Sequence, residues 1–259
     1  MKICRFTSEQ FGEAARYGIV KGTEIVPLSD RFPVDVEVSR GGSLQLNEIK
    51  LIAPVAPSKI ICVGRNYHEH AAELGNKTPD EPLLFLKAPS AIIGPDEQIQ
   101  LPSESQQVEH EGELGVVIGR RARFLQESED PLRYVFGYTC VNDVTARDLQ
   151  RKDVQFTRAK SFDTFCPVGP WIATEVDPEN LIVSTRLNGV VKQQGNTAQM
   201  AFSVRFLIRY IAAIMTLYPG DLVATGTPAG VSRMHNGDIV EVEVTGIGTL
   251  RNQVYYSSS

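Results

Sequence analysis

Hydrophobic and polar positions along this chain alternate in short blocks far more often than they recur at helical spacing. Residues 1–6, 15–20 and 23–27 read as strands, with Lys21 and Gly22 as a turn. Further strand patterns cover 59–63, 83–87, 116–118, 134–141, 168–173, 182–187, 221–225 and 238–244, with Gly237 and Gly246 as turns. Asn188-Gly189 sits between two such blocks and predicts a tight hairpin. Helical spacing is clear only over 203–215, behind Ser203 as N-cap, and in a short segment over 67–74 that Gly75 ends. The elements do not alternate regularly between strand and helix, which argues against a doubly wound parallel sheet and for a β-rich α+β fold. Residues 51–58 carry two prolines, Pro54 and Pro57, and read as an extended connector. A boundary there divides the chain into a small N-terminal β-rich domain, 1–53, and a larger domain, 54–259. The closing serines read as a frayed tail.

One block breaks the usual pattern. In Val108-Glu109-His110-Glu111-Gly112-Glu113-Leu114-Gly115-Val116-Val117-Ile118, acidic residues occupy every second position ahead of an apolar run. On a strand these glutamates project to one side, where like charges repel and unpaired burial is unfavourable. A divalent cation resolves that conflict, and oxygen-only ligands suit Mg2+ or Mn2+ rather than zinc. The competing reading is a solvated strand edge with exposed glutamates. A second chemical pattern lies in the short helix, where His70 and Glu73 share a face. His68 and Glu69 compete for the same role.

Composition narrows the field. The 259 residues carry a net charge of −5, which excludes a nucleic-acid role resting on phosphate neutralisation. No apolar run is long enough to span a bilayer, and the start lacks a signal-peptide pattern, so the expectation is a cytoplasmic protein. Cys4, Cys62, Cys140 and Cys166 are widely spaced beside apolar neighbours and read as reduced, buried side chains.

Several further blocks occur in a definite order: Val63-Gly64-Arg65-Asn66-Tyr67-His68-Glu69-His70-Ala71-Ala72-Glu73, then the acidic block, then Asn142-Asp143-Val144-Thr145-Ala146-Arg147-Asp148-Leu149-Gln150. Ala159-Lys160-Ser161-Phe162-Asp163 and Ala224-Thr225-Gly226-Thr227-Pro228-Ala229-Gly230-Val231 follow. Together they resemble the fumarylacetoacetate hydrolase family, from about residue 59 to 254. The resemblance implies a rolled arrangement of β-sheets and a homodimer. It implies metal ligation by Glu111, Glu113 and Asp143, leaving Glu109 outside the motif. It selects His70 and Glu73 as a water-activating dyad, on a helix expected to act as a lid. Lys160 resembles the family lysine that approaches substrate and metal, with a role in stabilising developing negative charge. Gln150 matches a glutamine that hydrogen-bonds substrate, and Thr227 a threonine whose hydroxyl and backbone line the site. Lys87 reads as an anion-facing, substrate-binding residue, while Arg147 and Asp148 read as a structural pair. His110 and His235 match no catalytic position.

Some family members carry a further aspartate ligand seven residues before the catalytic histidine, and Val63 stands there in this chain. The chain therefore resembles the three-carboxylate, acylpyruvase-like branch. The implied activity is Mg2+-dependent hydrolysis of a carbon–carbon bond in a 2,4-diketo acid of acylpyruvate or fumarylpyruvate type. The alternative uses the same site for oxaloacetate decarboxylation, or for isomerisation or decarboxylation of 2-hydroxyhepta-2,4-diene-1,7-dioate. The implied partner is a small 2-oxo acid.

Overall fold

The computed structural model describes residues 1–12, 14–28, 30–34 and 42–256. The serine tail lies outside the described residues. Strand forms wherever alternation predicts it, with most ends shifted by a residue or two and the strand expected over 116–118 beginning four residues earlier, at Gly112. Asn188 and Gly189 adopt left-handed backbone (φ 53° and 78°) and join Ile182–Leu187 to Val190–Asn196, as a tight hairpin requires. The helix Val204–Ile214 is capped by Ser203, whose Oγ accepts from the Phe206 amide at 3.3 Å. Strand Gly248–Tyr256 and helices Arg147–Lys152 and Thr157–Lys160 are additional to the expected elements.

One sheet organises the molecule. Its hydrogen-bonded order runs Leu44–Gln45, Glu24–Pro27, Arg16–Lys21, Lys2–Thr7, Cys166–Ala173, Val135–Asn142, Gly112–Ile118, Leu222–Ala224, Ile60–Gly64, Leu83–Lys87. Lys2 pairs with Ala173 and Ile3 with Ile172, so the N-terminal strands continue the main sheet. A second sheet, Val190–Asn196, Ile182–Leu187, Ile239–Val244, Gly248–Tyr256, Gln98–Leu101, packs beside the first. The β-rich α+β class and the rolled-sheet arrangement with an N-terminal β appendage are therefore those of the structure.

Alternation along Gly112–Ile118 decides what faces where. Leu114, Val116 and Ile118 enter a core with Val183, Val242 and Val244 of the second sheet and Leu207, Ile208 and Ile211 of the long helix. Each such side chain contributes about 1.5–3 kcal/mol when fully buried. Val117 faces the other way, into a core with Cys62, Val141 and Leu222. Glu111 and Glu113 have the parity of Val117, so the opposite face anchors the strand that carries them. The acidic block is not one continuous strand: Val108–Glu109 pairs with Thr145–Ala146, while Gly112–Ile118 pairs with Val135–Asn142.

Gly112 lies where the two sheets touch. A Cβ there would collide with Thr185 Oγ1 and come within 3.2 Å of Val242 Cγ1. Gly112→Ala should therefore destabilise by about 1–3 kcal/mol in urea unfolding, with part of the loss recovered by adding Thr185→Ala. An unchanged midpoint in Gly112→Ala would show that the sheets are not in contact here.

Candidate active site

The acidic residues meet because of register. Gly112 pairs with Asn142, and the Asp143 amide donates to the Glu111 carbonyl at 2.8 Å, which places Asp143 across from Glu111. Cross-strand neighbours share a face, and Glu113 lies two positions further along it. One oxygen from each of Glu111, Glu113 and Asp143 lies within 4.8 Å of the others, and all three residues are buried.

Three buried cations answer this charge. Lys160 Nζ donates to Glu111 Oε2 at 2.8 Å and Asp143 Oδ2 at 2.7 Å. Lys87 Nζ donates to Asp143 Oδ1 at 2.5 Å and to the Val144 carbonyl at 3.1 Å. Arg147 bridges Glu109, at 2.8 Å from Nε, and Glu111, through its second guanidinium nitrogen. Burial raises the Glu111 carboxyl, but Lys160 and Arg147 outweigh it and hold the group below the ordinary glutamate range. Glu113 has no such partner and accepts only the Gly226 amide, at 2.8 Å. Burial, with Asp143 and Glu111 beside it, pushes its carboxyl well above the ordinary range. Four buried carboxyl groups, counting Glu109, thus face three buried cations, and Glu113 is the one left without a cation. A dication fits this set: the donors are all hard oxygens, and the carboxylate without a cation is one of them.

The dyad residues also come together. Helix His68–Glu73 brings His70 Nδ1 to 3.4 Å from Glu73 Oε2, and Glu73 accepts from the Gly230 amide at 3.0 and 3.1 Å. The helix is tethered at its start by Asn66, which is fully buried. Asn66 Nδ2 donates to the carbonyls of Phe202 (3.1 Å) and Thr225 (2.7 Å), and Oδ1 accepts from the Phe202 amide. His68 instead meets Thr78 Oγ1 at 2.8 Å and is exposed.

A cavity of about 390 Å3 is lined by His70, Glu111, Glu113, Asp143 and Lys160. Gln150 and Thr227 line it too, while Glu73 stands behind His70. Two expectations need correction. Lys87 is not on the cavity wall; it is buried behind Asp143 and positions that carboxylate rather than facing an anion. Arg147 does not pair with Asp148, which accepts from Ser105 Oγ (2.6 Å) and the Gln106 amide (2.8 Å).

A buried network behind the site had no signal in the periodicity. Gln193, on the hairpin strand Val190–Asn196, accepts from the Gly112 amide (3.0 Å), so its Oε1 is fixed as an acceptor. The His110 Nδ1 contact of 3.0 Å to that oxygen then carries the ring proton, and Nε2 accepts from Ser232 Oγ at 2.8 Å. Burial holds the His110 pKa below its usual value, consistent with a neutral ring. Gln193 Nε2 donates to Thr227 Oγ1 and the Pro228 carbonyl, both at 2.7 Å. One side chain thus ties the acidic strand to the loop that carries Gly226, Thr227 and Gly230. All four cysteines are buried and free.

Residues 59–255 match the family described as fumarylacetoacetate (FAA) hydrolase C-terminal, and residues 1–54 match one described as Rv2993c-like, N-terminal. The chain is 43% identical over 224 residues to the oxaloacetate tautomerase YisK of Bacillus subtilis, covering 81% of this chain and 74% of that one. It is similar in structure to a 5-carboxymethyl-2-hydroxymuconate delta-isomerase from Mycobacterium smegmatis, with TM-score 0.90 and 39% identity over 99% of this chain and 100% of that one. A maleylpyruvate hydrolase from Sphingobium sp. SYK-6, solved with manganese (II) and pyruvate, gives TM-score 0.81 and 30% identity over 100% of both chains. Among the described residues, no helix is long and apolar enough to cross a membrane.

Two outcomes follow from the charge balance and the network. In chelator-treated protein, Glu113→Gln should raise the melting temperature, because an amide replaces the carboxylate that lacks a cation. Added Mg2+ or Mn2+ should raise the wild-type value and leave the variant unmoved; a wild-type protein indifferent to both ions contradicts the metal reading. Gln193→Leu should cost about 1–3 kcal/mol for the worst-stranded group alone, read by urea unfolding. An unshifted midpoint there would mean that the network does not hold the loop in solution.

Proposed function

We propose that this chain, which belongs to the fumarylacetoacetate hydrolase family, moves a proton at the carbon beside the 2-oxo group of a small 2-oxo acid, interconverting its keto and enol forms. The observation that carries the reading is a buried histidine, backed by a carboxylate, on the wall of the cavity that holds the acidic triad. The tautomerase and isomerase relatives, at 43% and 39% identity, support it. Glu111, Glu113 and Asp143 are the residues that would hold a dication, Mg2+ or Mn2+. When bound, that ion supplies Lewis-acid polarisation and a template for the 2-oxo acid head.

The chain's own residues supply the proton transfer. Glu73, fixed by the Gly230 amide, favours the tautomer with its proton on His70 Nδ1. His70 Nε2 is then free to take a proton from C3 of the keto acid, and the C–H electron pair becomes the enolate π system. Returning that proton to C3 restores the keto form; protonation at the 2-oxygen gives the enol. Lys160, whose pKa burial lowers but Asp143 and Glu111 raise above the usual value, stays an ammonium and offsets the enolate charge. Gln150 Oε1 accepts from Arg147 at 2.5 Å, which leaves its amide nitrogen for a substrate oxygen.

A second reading is carbon–carbon hydrolysis of a 2,4-diketo acid, favoured by the manganese- and pyruvate-bound hydrolase relative. There His70 would take a proton from water as the hydroxyl oxygen bonds to the distal carbonyl carbon. The carbon–carbon bond then breaks, giving a carboxylic acid and the pyruvate enolate, which is protonated to pyruvate.

Both readings use His70 as base. His70→Ala should lower the rate by roughly 10²–10⁴-fold, while His68→Ala should leave it unchanged. Oxaloacetate enol decay, followed in the ultraviolet, and acetylpyruvate hydrolysis, both at saturating Mg2+, measure this and rank the two reactions. Near-wild-type rates for His70→Ala in both assays would remove the dyad from the mechanism.

A further inference from the structure

A second cavity, of about 280 Å3, borders the helix that carries the dyad. His70 lines the first cavity, His68 and Glu69 line the second, and the two share no residue. Tyr67 and Pro228 are buried and form the floor of the second cavity. Glu69, Gln194 and Gln199 are exposed and form its rim. The Tyr67 hydroxyl is buried and has no hydrogen-bond partner among the described residues. A Cβ added at Gly195, also on the wall, would stand 3.5 Å from Tyr67 Cε1, the ring carbon next to the one bearing that hydroxyl. The hydroxyl end of the ring is therefore the end beside the cavity. A buried polar group left unpaired marks where a bound polar atom belongs.

The rim groups are uncommitted and of two kinds. Glu69 offers a carboxylate that pairs with no Lys, Arg or His among the described residues. Gln199 is held in one orientation by a capping box with Asn196. Its Oε1 accepts from the Asn196 amide at 2.7 Å, so its amide nitrogen is left to donate. A negative acceptor and fixed neutral donors thus stand over an apolar floor. A metal ion would find a single carboxylate here. A simple anion would be repelled by Glu69. An ammonium beside a carboxylate answers both kinds of group at once.

We propose that this second cavity is a binding site for a small α-amino acid with an apolar side chain. Its ammonium donates to Glu69, and its carboxylate accepts from the Gln199 amide and the Tyr67 hydroxyl. Its side chain covers Pro228 and Ala229. Those two residues lead into Gly230, whose amide holds Glu73. The bound amino acid therefore spans the dyad helix and the loop that fixes its carboxylate, without touching a reacting atom.

Calorimetry on the Mg2+-loaded protein tests this with leucine as the probe. Leucine should bind saturably, with a Kd below about 10 mM. Three fragments each lack one feature: 4-methylpentanoate the ammonium, 3-methylbutylamine the carboxylate, and glycine the apolar side chain. Each should bind at least about tenfold more weakly than leucine. Glu69→Gln, at an exposed position, should weaken leucine about tenfold. Gln199→Glu keeps an oxygen for the Asn196 amide and replaces the donor by a second oxygen. It should weaken leucine by a similar factor while binding 3-methylbutylamine at least as well as the wild type does. Saturating oxalate, which fills the triad end, should leave leucine bound. No saturable leucine binding by the wild type overturns the site, as does wild-type affinity in both variants. Displacement of leucine by oxalate would place it in the first cavity and overturn the assignment. A fragment that binds as tightly as leucine would overturn the amino-acid class.

Discussion

Four carboxylates are withdrawn from water at one end of one strand pair, and the surrounding structure is arranged to make that tolerable. A buried charge without a partner costs far more than a hydrogen bond returns, so each carboxylate needs a specific neighbour. The neighbours come from separate parts of the chain: Lys87 from an outer strand, Arg147 and Lys160 from two short helices, and the Gly226 amide from a loop after Leu222–Ala224. The cluster therefore ties together the segments that enclose the cavity. Its compensation is complete for Glu111 and Asp143 and incomplete for Glu113. That imbalance marks where a positive ligand belongs.

Neutral amides do the remaining positioning. Asn66 and Gln193 are both fully buried, and each uses both ends of its side-chain amide. Asn66 ties the start of the histidine-bearing helix to the segments at Phe202 and Thr225. Gln193 ties the acidic strand to the loop that fixes Glu73. A neutral donor–acceptor side chain can do this without adding charge to an already acidic centre. It also explains why the Thr227 hydroxyl is engaged within the protein: it lies between Gln193 and the Gly112 carbonyl.

The strands were legible in the sequence where one face is apolar, because alternation is a local signal. Gly248–Tyr256 has the same burial alternation, yet Asn252 takes an inward position between Leu250 and Val254. Its amide is satisfied by the Gly94 and Glu97 carbonyls, so a polar letter stands where the pattern demands an apolar one. Helices Arg147–Lys152 and Thr157–Lys160 were illegible for a related reason: they bury Arg147 and Lys160 against carboxylates, and no hydrophobic period results. The triad could be reached because strand parity and motif order both point to Glu111, Glu113 and Asp143. The placement of Lys87 could not, since a lysine ending a strand reads the same whether it faces a cavity or the back of an aspartate.

The N-terminal strands bear on the site through the sheet rather than through contact. Lys2–Thr7 pairs with Cys166–Ala173, which pairs with Val135–Asn142, whose end precedes Asp143 and which pairs with the acidic strand. The described residues that line the cavity begin at Val63, so none comes from the N-terminal strands. Left unpaired, Cys166–Ala173 would present an open row of backbone donors and acceptors on that side. By covering that edge, the N-terminal strands make Cys166–Ala173, the direct neighbour of Val135–Asn142, an interior strand. Interior strands hold their register more tightly than frayed edges do, and register is what sets Asp143 across from Glu111. The appendage thus contributes to the geometry of the acidic centre while remaining outside the cavity.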